Sequence, residues 1–148
     1  MAGAAQTFCE QRPTCHTPRP SVADVPTDLR RHLGRLGEDL ALAHLQRLGY
    51  TLVTRNYRTR HGEIDLVVSE RGILVFVEVK TRRASVAGRG PWESLHARKQ
   101  ERVRRMAAQF LAEVDDRPWS PELRFDAIGI VIDARGQLVR LDHLEDAF

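Results

Sequence analysis

The stretch Gly62-Glu63-Ile64-Asp65-Leu66-Val67-Val68-Ser69-Glu70-Arg71-Gly72-Ile73-Leu74-Val75-Phe76-Val77-Glu78-Val79-Lys80 constrains this chain more than any other. It reads as two strands rich in β-branched and apolar residues around a Glu-Arg-Gly turn. Asp65 falls on the first strand, Glu78 and Lys80 on the second. Side chains alternate across a strand, so Leu74, Phe76, Glu78 and Lys80 share one face and Ile73, Val75, Val77 and Val79 the other. The second face is a clean core face. The first ends in an acid and a base where a buried strand would ordinarily continue with Val or Ile.

Two hairpin registers are open. A two-residue loop at Arg71-Gly72 sets Glu70 against Ile73 and Asp65 against Glu78. A loop at Glu70-Arg71 sets Asp65 against Phe76 and Glu63 against Glu78. In both, Glu63, Asp65, Glu78 and Lys80 point the same way, because a two-residue shift preserves the face. A three-residue loop without a bulge would separate them. Opposed residues have Cβ atoms roughly 4.5–5.5 Å apart, close enough for two carboxylates to share one cation. Two such acids repel unless something positive sits with them or one is protonated. A divalent metal and Lys80 both answer that need.

At 148 residues the chain is expected to form one domain with room for a core. No apolar run approaches the ~20 residues of a membrane span. The N-terminus lacks the basic start and apolar block of a secretory signal, so a cytoplasmic protein is expected. Cys9 and Cys15, with His16, are too few for a zinc site and read as free thiols. The net charge of +3 leans mildly towards polyanions, and its composition says more. Lys80 and Lys99 are the only lysines in an otherwise Arg-built positive set. One of them stands beside Glu78, where a compact ammonium does what a planar guanidinium cannot.

Residues 1–28, with Pro13, Pro18, Pro20 and Pro26 and no periodicity, read as a disordered N-terminal tail. Residues 29–148 form the folded unit. From Asp28 to Leu48 the pattern is helical. Ala41, Leu45 and Leu48 lie on one face, Leu33 and Leu40 flank it, and Gly34 and Gly37 permit close approach to a sheet. Glu38 falls at the border of that face, and Gly49 ends the helix. A strand from Tyr50 to Tyr57 leads into the basic turn Arg58-Thr59-Arg60-His61-Gly62. After Lys80, Thr81 to Pro91 reads as a basic loop carrying Arg82, Arg83 and Arg89. A second helix runs from Glu93 or Ser94 to about Val114, with Leu95, Val103, Met106, Phe110 and Val114 as its apolar stripe. Arg98, Arg102 and Arg105 form a separate basic stripe. Lys99 stands in line with Leu95 and Val103, either snorkelling out of the core or pointing into a polar site. Leu123 to Ile132 reads as a buried strand on which Asp126 has a structural hydrogen-bonding role. Gln137 to Leu141 reads as a short edge strand.

The order α-β-β-β-α-β-β predicts an α/β mixed sheet with flanking helices. The acids lie in its middle strands, held rigidly rather than carried on loops. Asp…Glu-x-Lys on adjacent strands suits metal-assisted phosphodiester hydrolysis. Carboxylates bind Mg²⁺ or Mn²⁺ through oxygen, and a magnesium ion keeps several waters. A water activated this way attacks the phosphate, and Lys80 orients it or stabilises the developing charge. The competing reading of the same residues is a structural ion-pair cluster, whose burial costs several kcal/mol per ion unless well satisfied. Arg58 and Arg60 in the turn, Arg82 and Arg83 after Lys80, and Lys99 are the candidates for nucleic-acid contact.

Gly37-Glu38, Arg55-Asn56-Tyr57-Arg58, Gly62-Glu63-Ile64-Asp65-Leu66, Phe76-Val77-Glu78-Val79-Lys80-Thr81-Arg82, Lys99 and Arg124-Phe125-Asp126 resemble the YraN family of predicted endonucleases. That family is similar in layout to the Holliday-junction resolvases within the PD-(D/E)XK nuclease superfamily. The resemblance covers about residues 33 to 132 and implies a restriction-endonuclease-like fold, with 29–148 as the nuclease-like domain. It implies Asp65 and Glu78 as metal ligands, Lys80 as the catalytic lysine, and Glu38 as the helix-borne acid that completes the site. Glu63 is a second-tier candidate. Ile64, not proline, precedes Asp65, a departure that removes no chemistry. The expected function is a Mg²⁺- or Mn²⁺-dependent endonuclease acting on branched or single-stranded DNA, in repair, recombination or processing. The alternative is a nucleic-acid-binding or assembly factor on a nuclease fold with weak or no catalysis. Symmetric cutting of a junction would require a homodimer.

Overall fold

The computed structural model describes residues 27–84 and 97–147. Cys9, Cys15, the Pro-rich tail, Arg89, Leu95 and the predicted helix start at Glu93 or Ser94 lie outside them. The elements are α1 (Thr27–Arg47), β1 (Thr51–Thr59), β2 (Gly62–Glu70), β3 (Ile73–Arg83), α2 (Ala97–Glu113), β4 (Glu122–Ile132) and β5 (Leu138–Leu144). The five strands form one sheet in the order β1-β2-β3-β4-β5. β3 and β4, joined through α2, run parallel, and the other neighbours are antiparallel. The expected α/β order is the one observed.

Each helix covers one face of the sheet. On one side Ala41 and Leu45 of α1 pack on Leu66, Val68, Val75, Val77, Ile128, Ile130 and Ile132. On the other, Val103, Met106, Ala107 and Phe110 of α2 pack on Ile64, Val67, Leu74 and Phe76. Burying a large apolar side chain contributes roughly 1.5–3 kcal/mol, so these two layers hold the helices to the sheet. Phe110 adds edge-on ring contacts to Tyr57 at 5.0 Å and to Phe76 at 5.7 Å.

Local chemistry sets the element ends. Asp28 in the first turn of α1 and His44 and Arg47 in its last complement the helix dipole. The helix closes at Gly49 (φ 98°) with Tyr50 N–H donating to Leu45 O and Gly49 N–H to Gln46 O, a Schellman motif. Leu48 therefore leaves the apolar face and is half exposed, against expectation. Arg71 and Gly72 both have positive φ (47° and 84°), the sign pattern of a type I′ hairpin turn. That turn selects the first register: Glu70 pairs Ile73, and Leu66 pairs Val77.

Three boundaries differ from expectation. β1 continues through Thr59, so Arg58 is a strand residue paired with Glu63 rather than part of the turn. β3 continues through Arg83, so Arg82 and Arg83 are strand residues opposite Val131 and Ile132 rather than loop residues. The backbone ladder with β4 carries the strand through side chains that are basic rather than apolar. β5 extends three residues past Leu141, which brings His143 to Asp126. It is an edge strand, as expected. Gly37, but not Gly34, makes the close approach. A Cβ at Gly37 would collide with the Thr81 side chain, whereas one at Gly34 would meet nothing closer than Glu38 Oε1 at 4.0 Å. No helix among the described residues is long and apolar enough to cross a membrane.

Candidate active site

The unbroken pleat expected for β2 does not hold at Asp65. Leu66 packs on the α1 side of the sheet, yet Ile64, two residues away, packs on the α2 side. A regular strand would put both on one face. The same inversion occurs on β1: Arg55 pairs with Glu38 and Asp39 of α1, whereas Tyr57 packs on Phe110 of α2. The two changes of face are opposite one another. Arg55 pairs Leu66 and Tyr57 pairs Ile64, and between them Asn56, at φ 54°, stands across from Asp65. Asn is among the few residues that adopt a left-handed backbone without large cost, so the break is encoded at Asn56.

The β2–β3 ladder stops at the same level. Its last pair is Leu66–Val77, and beyond it the Asp65 carboxylate takes over, Oδ2 accepting the Val79 N–H at 2.7 Å. Asp65 is thereby fixed against β3 between Glu78 and Lys80 in sequence. Glu78 and Lys80 are half-buried on β3, opposite Ala127 and Gly129 of β4. These small neighbours leave room beside the two long side chains. Beyond Gly129 lies Asp142 of β5, two strands from Lys80, an acid that the sequence reading did not select.

Glu38 arrives from α1. Gly37 seats the helix on Thr81, and the next residue turns its carboxylate to β1, Oε2 accepting from Asn56 Nδ2 at 3.0 Å and from Arg55 Nη2 at 3.4 Å. Only 14% of the Glu38 side chain is exposed. Glu38, Asn56, Asp65 and Val79 thus form one line across α1, β1, β2 and β3, with Glu78 and Lys80 flanking its end. Glu63 lies apart, half exposed and 3.9 Å from Arg58.

Among the described residues, no three Asp, Glu, His or Cys side chains close into a group able to hold a metal ion. The donor set still suits magnesium, which takes one or two carboxylates and fills its octahedron with water and substrate oxygens. Asp65 and Glu78 are the residues that would hold it, one on each of two neighbouring central strands. Their all-oxygen donors fit Mg²⁺ or Mn²⁺ rather than a soft metal.

The basic candidates have different settings. Arg58 is exposed near the end of β1, and Arg60 is exposed in the β1–β2 turn, where it bonds His61. The Arg102 guanidinium of α2 lies over Gly62 at the start of β2, where a side chain would have to push it aside and adopt a positive φ (142°). Arg83 is exposed and Arg82 half-buried at the end of β3. Lys99 lies on the first turn of α2, and its side chain is outside the described residues.

Asp126 is structural, as expected. It is fully buried, and its carboxylate accepts from Arg124, His143 and the Asp146 N–H. Arg124 in turn reaches the Tyr50 hydroxyl at 2.6 Å, tying β4 to the end of α1.

Comparison with known proteins matches residues 37–130 to the model of the uncharacterised protein family UPF0102. A UPF0102 protein of Pelotomaculum thermopropionicum is 41% identical over 121 residues, covering 82% of this chain and 98% of the relative. One from Rhodococcus opacus is 44% identical over 116 residues, covering 78% and 95%. One from Dictyoglomus turgidum is 36% identical over 118 residues, covering 80% and 98%.

Proposed function

The chain belongs to the uncharacterised protein family UPF0102, the YraN family, and from that premise we propose that it is a metal-dependent DNA endonuclease. It hydrolyses phosphodiester bonds of branched or single-stranded DNA in the cytoplasm, in repair, recombination or processing. One observation carries the reading: Asp65 reaches across to β3 at Val79, between Glu78 and Lys80, where the β2–β3 ladder ends. A row of side chains that only stabilised the sheet would not require an acid to displace the ladder in its middle strands.

In this reading Asp65 and Glu78 hold the divalent ion. The ion, when bound, lowers the pKa of water and screens charge on the scissile phosphate. Lys80 lies on the same strand face as Glu78 and places its ammonium where charge develops on the phosphate. Glu38 extends the acid set from the helix. Arg58, Arg60, Arg82, Arg83 and Lys99 supply phosphate contacts that position the strand without reading its sequence. A four-way junction cut symmetrically would engage a homodimer.

The nucleic-acid-binding or assembly factor is the second reading. It is favoured by Glu38, whose carboxylate already pairs with Arg55 and Asn56 as a structural acid would. Cleavage of labelled duplex, single strand, flap and four-way junction, with Mn²⁺, Mg²⁺ or EDTA, separates the two. The endonuclease reading expects metal-dependent cutting that Glu78→Ala reduces to background while folding and much of the DNA affinity remain. Binding without cutting by the wild type would favour the second reading.

A further inference from the structure

Asn56 combines three properties that a strand residue seldom has together. Its backbone is left-handed at φ 54°, its side-chain amide donates to Glu38 Oε2 at 3.0 Å, and it stands across the β1–β2 ladder from Asp65. We propose that Asn56 is a positioning residue that holds the Glu38 carboxylate beside Asp65. This inference rests on the metal-dependent reading above and adds to it the residue that joins the helix-borne acid to the strand-borne ones.

The chemistry favours Asn over its alternatives. Gly would supply the backbone conformation but no donor. Asp would tolerate the conformation but set a second carboxylate against Glu38. Ser or Thr would donate, with a shorter reach and a poorer fit to positive φ. The Asn amide provides a neutral donor with the reach and the backbone tolerance this position needs, and it adds no charge of its own beside Glu38. The flanking pairs Arg55–Leu66 and Tyr57–Ile64 set the Asn56 backbone at the level of Asp65, one strand spacing of roughly 4.8 Å away, and the Glu38 carboxylate hangs from the Asn56 amide. Arg55 adds a longer, weaker contact to the same Glu38 oxygen and also engages Asp39 at 3.0 Å, which restrains the helix from the solvent side. The geometry divides Asn56 into separable parts: a backbone that breaks the pleat and an amide that aims Glu38.

Asn56→Gly keeps the backbone conformation and deletes the amide. Asn56→Asp keeps the size and reverses the polarity. Mn²⁺ uptake, followed by electron paramagnetic resonance without DNA, reports the site independently of cleavage. Loss of an outer-sphere orienting partner typically costs 10–100-fold in metal affinity. The expected result is a rise of at least about tenfold in the Mn²⁺ concentration for half-saturation in Asn56→Gly, and a larger rise in Asn56→Asp. Thermal stability in EDTA is measured alongside, and Asn56→Asp serves if the glycine variant does not fold. A merely structural residue would lower stability in EDTA and leave half-saturation unchanged. That result in a wild type that binds Mn²⁺ overturns the role of Asn56 and leaves the endonuclease reading standing. A folded wild type that takes up no Mn²⁺ overturns both.

Discussion

At the scale of single residues, the buried acid Asp126 and its neighbour network make the fold sensitive to pH. Burial alone would raise the Asp126 carboxyl, but hydrogen bonds from His143, Arg124 and the Asp146 N–H outweigh it and hold the group below its ordinary value. A depressed acid stabilises the fold above its unfolded value, ~3.9, and that stability is lost as pH falls through the folded value. His44 behaves differently. Burial, followed by the charges of His143 and Arg47, pushes it down, and its ring lies edge-on to His143 at 5.5 Å. The folded state therefore binds fewer protons at His44 than the unfolded chain does. Stability falls as pH drops below the unfolded histidine value, about 6.5. Thermal melts between pH 7.5 and 5.5 should show this loss, with a shallower slope in His44→Gln. A His44→Gln slope equal to the wild type would contradict the assignment.

At the scale of elements, the seat of α1 on β3 decides where Glu38 stands. Gly37 is buried against Thr81, and a methyl group there would force the helix away from the strand. Gly37→Ala should destabilise by roughly 1–3 kcal/mol in urea unfolding, the usual cost of overpacking, despite alanine's better helix propensity. An unchanged midpoint would mean that Thr81 yields. The sequence made most of these elements legible. Alternation and the Arg71-Gly72 turn expose the β2–β3 hairpin, and the spacing of Val103, Met106 and Phe110 exposes α2. What stayed hidden was the paired break at Asn56 and Asp65, because alternation arguments assume an unbroken pleat and a positive φ at Asn leaves no mark in hydropathy. The extension of β3 through Arg82 and Arg83 was hidden for a related reason. Its strand character comes from pairing with β4, not from its own apolar side chains.

At the scale of the whole molecule, a five-stranded sheet gripped on both faces carries its acids at the level where its two antiparallel N-terminal ladders change. Asp65 and Glu78 stand on neighbouring strands, Asp65 bonded to the Val79 N–H, and Glu38 of the helix bonds Asn56 of β1. The fold class was readable from element order, and the two candidate acids and the candidate lysine from Asp65, Glu78 and Lys80 on a hairpin. Asn56 was not, since neither charge pattern nor periodicity marks it as part of a site. The central claim is that Asp65 and Glu78 together hold a divalent ion, and direct Mn²⁺ titration of wild type, Asp65→Ala and Glu78→Ala by electron paramagnetic resonance tests it most directly. The account predicts saturable uptake by the wild type that either substitution abolishes while circular dichroism stays native. Uptake undiminished in both folded variants would contradict it.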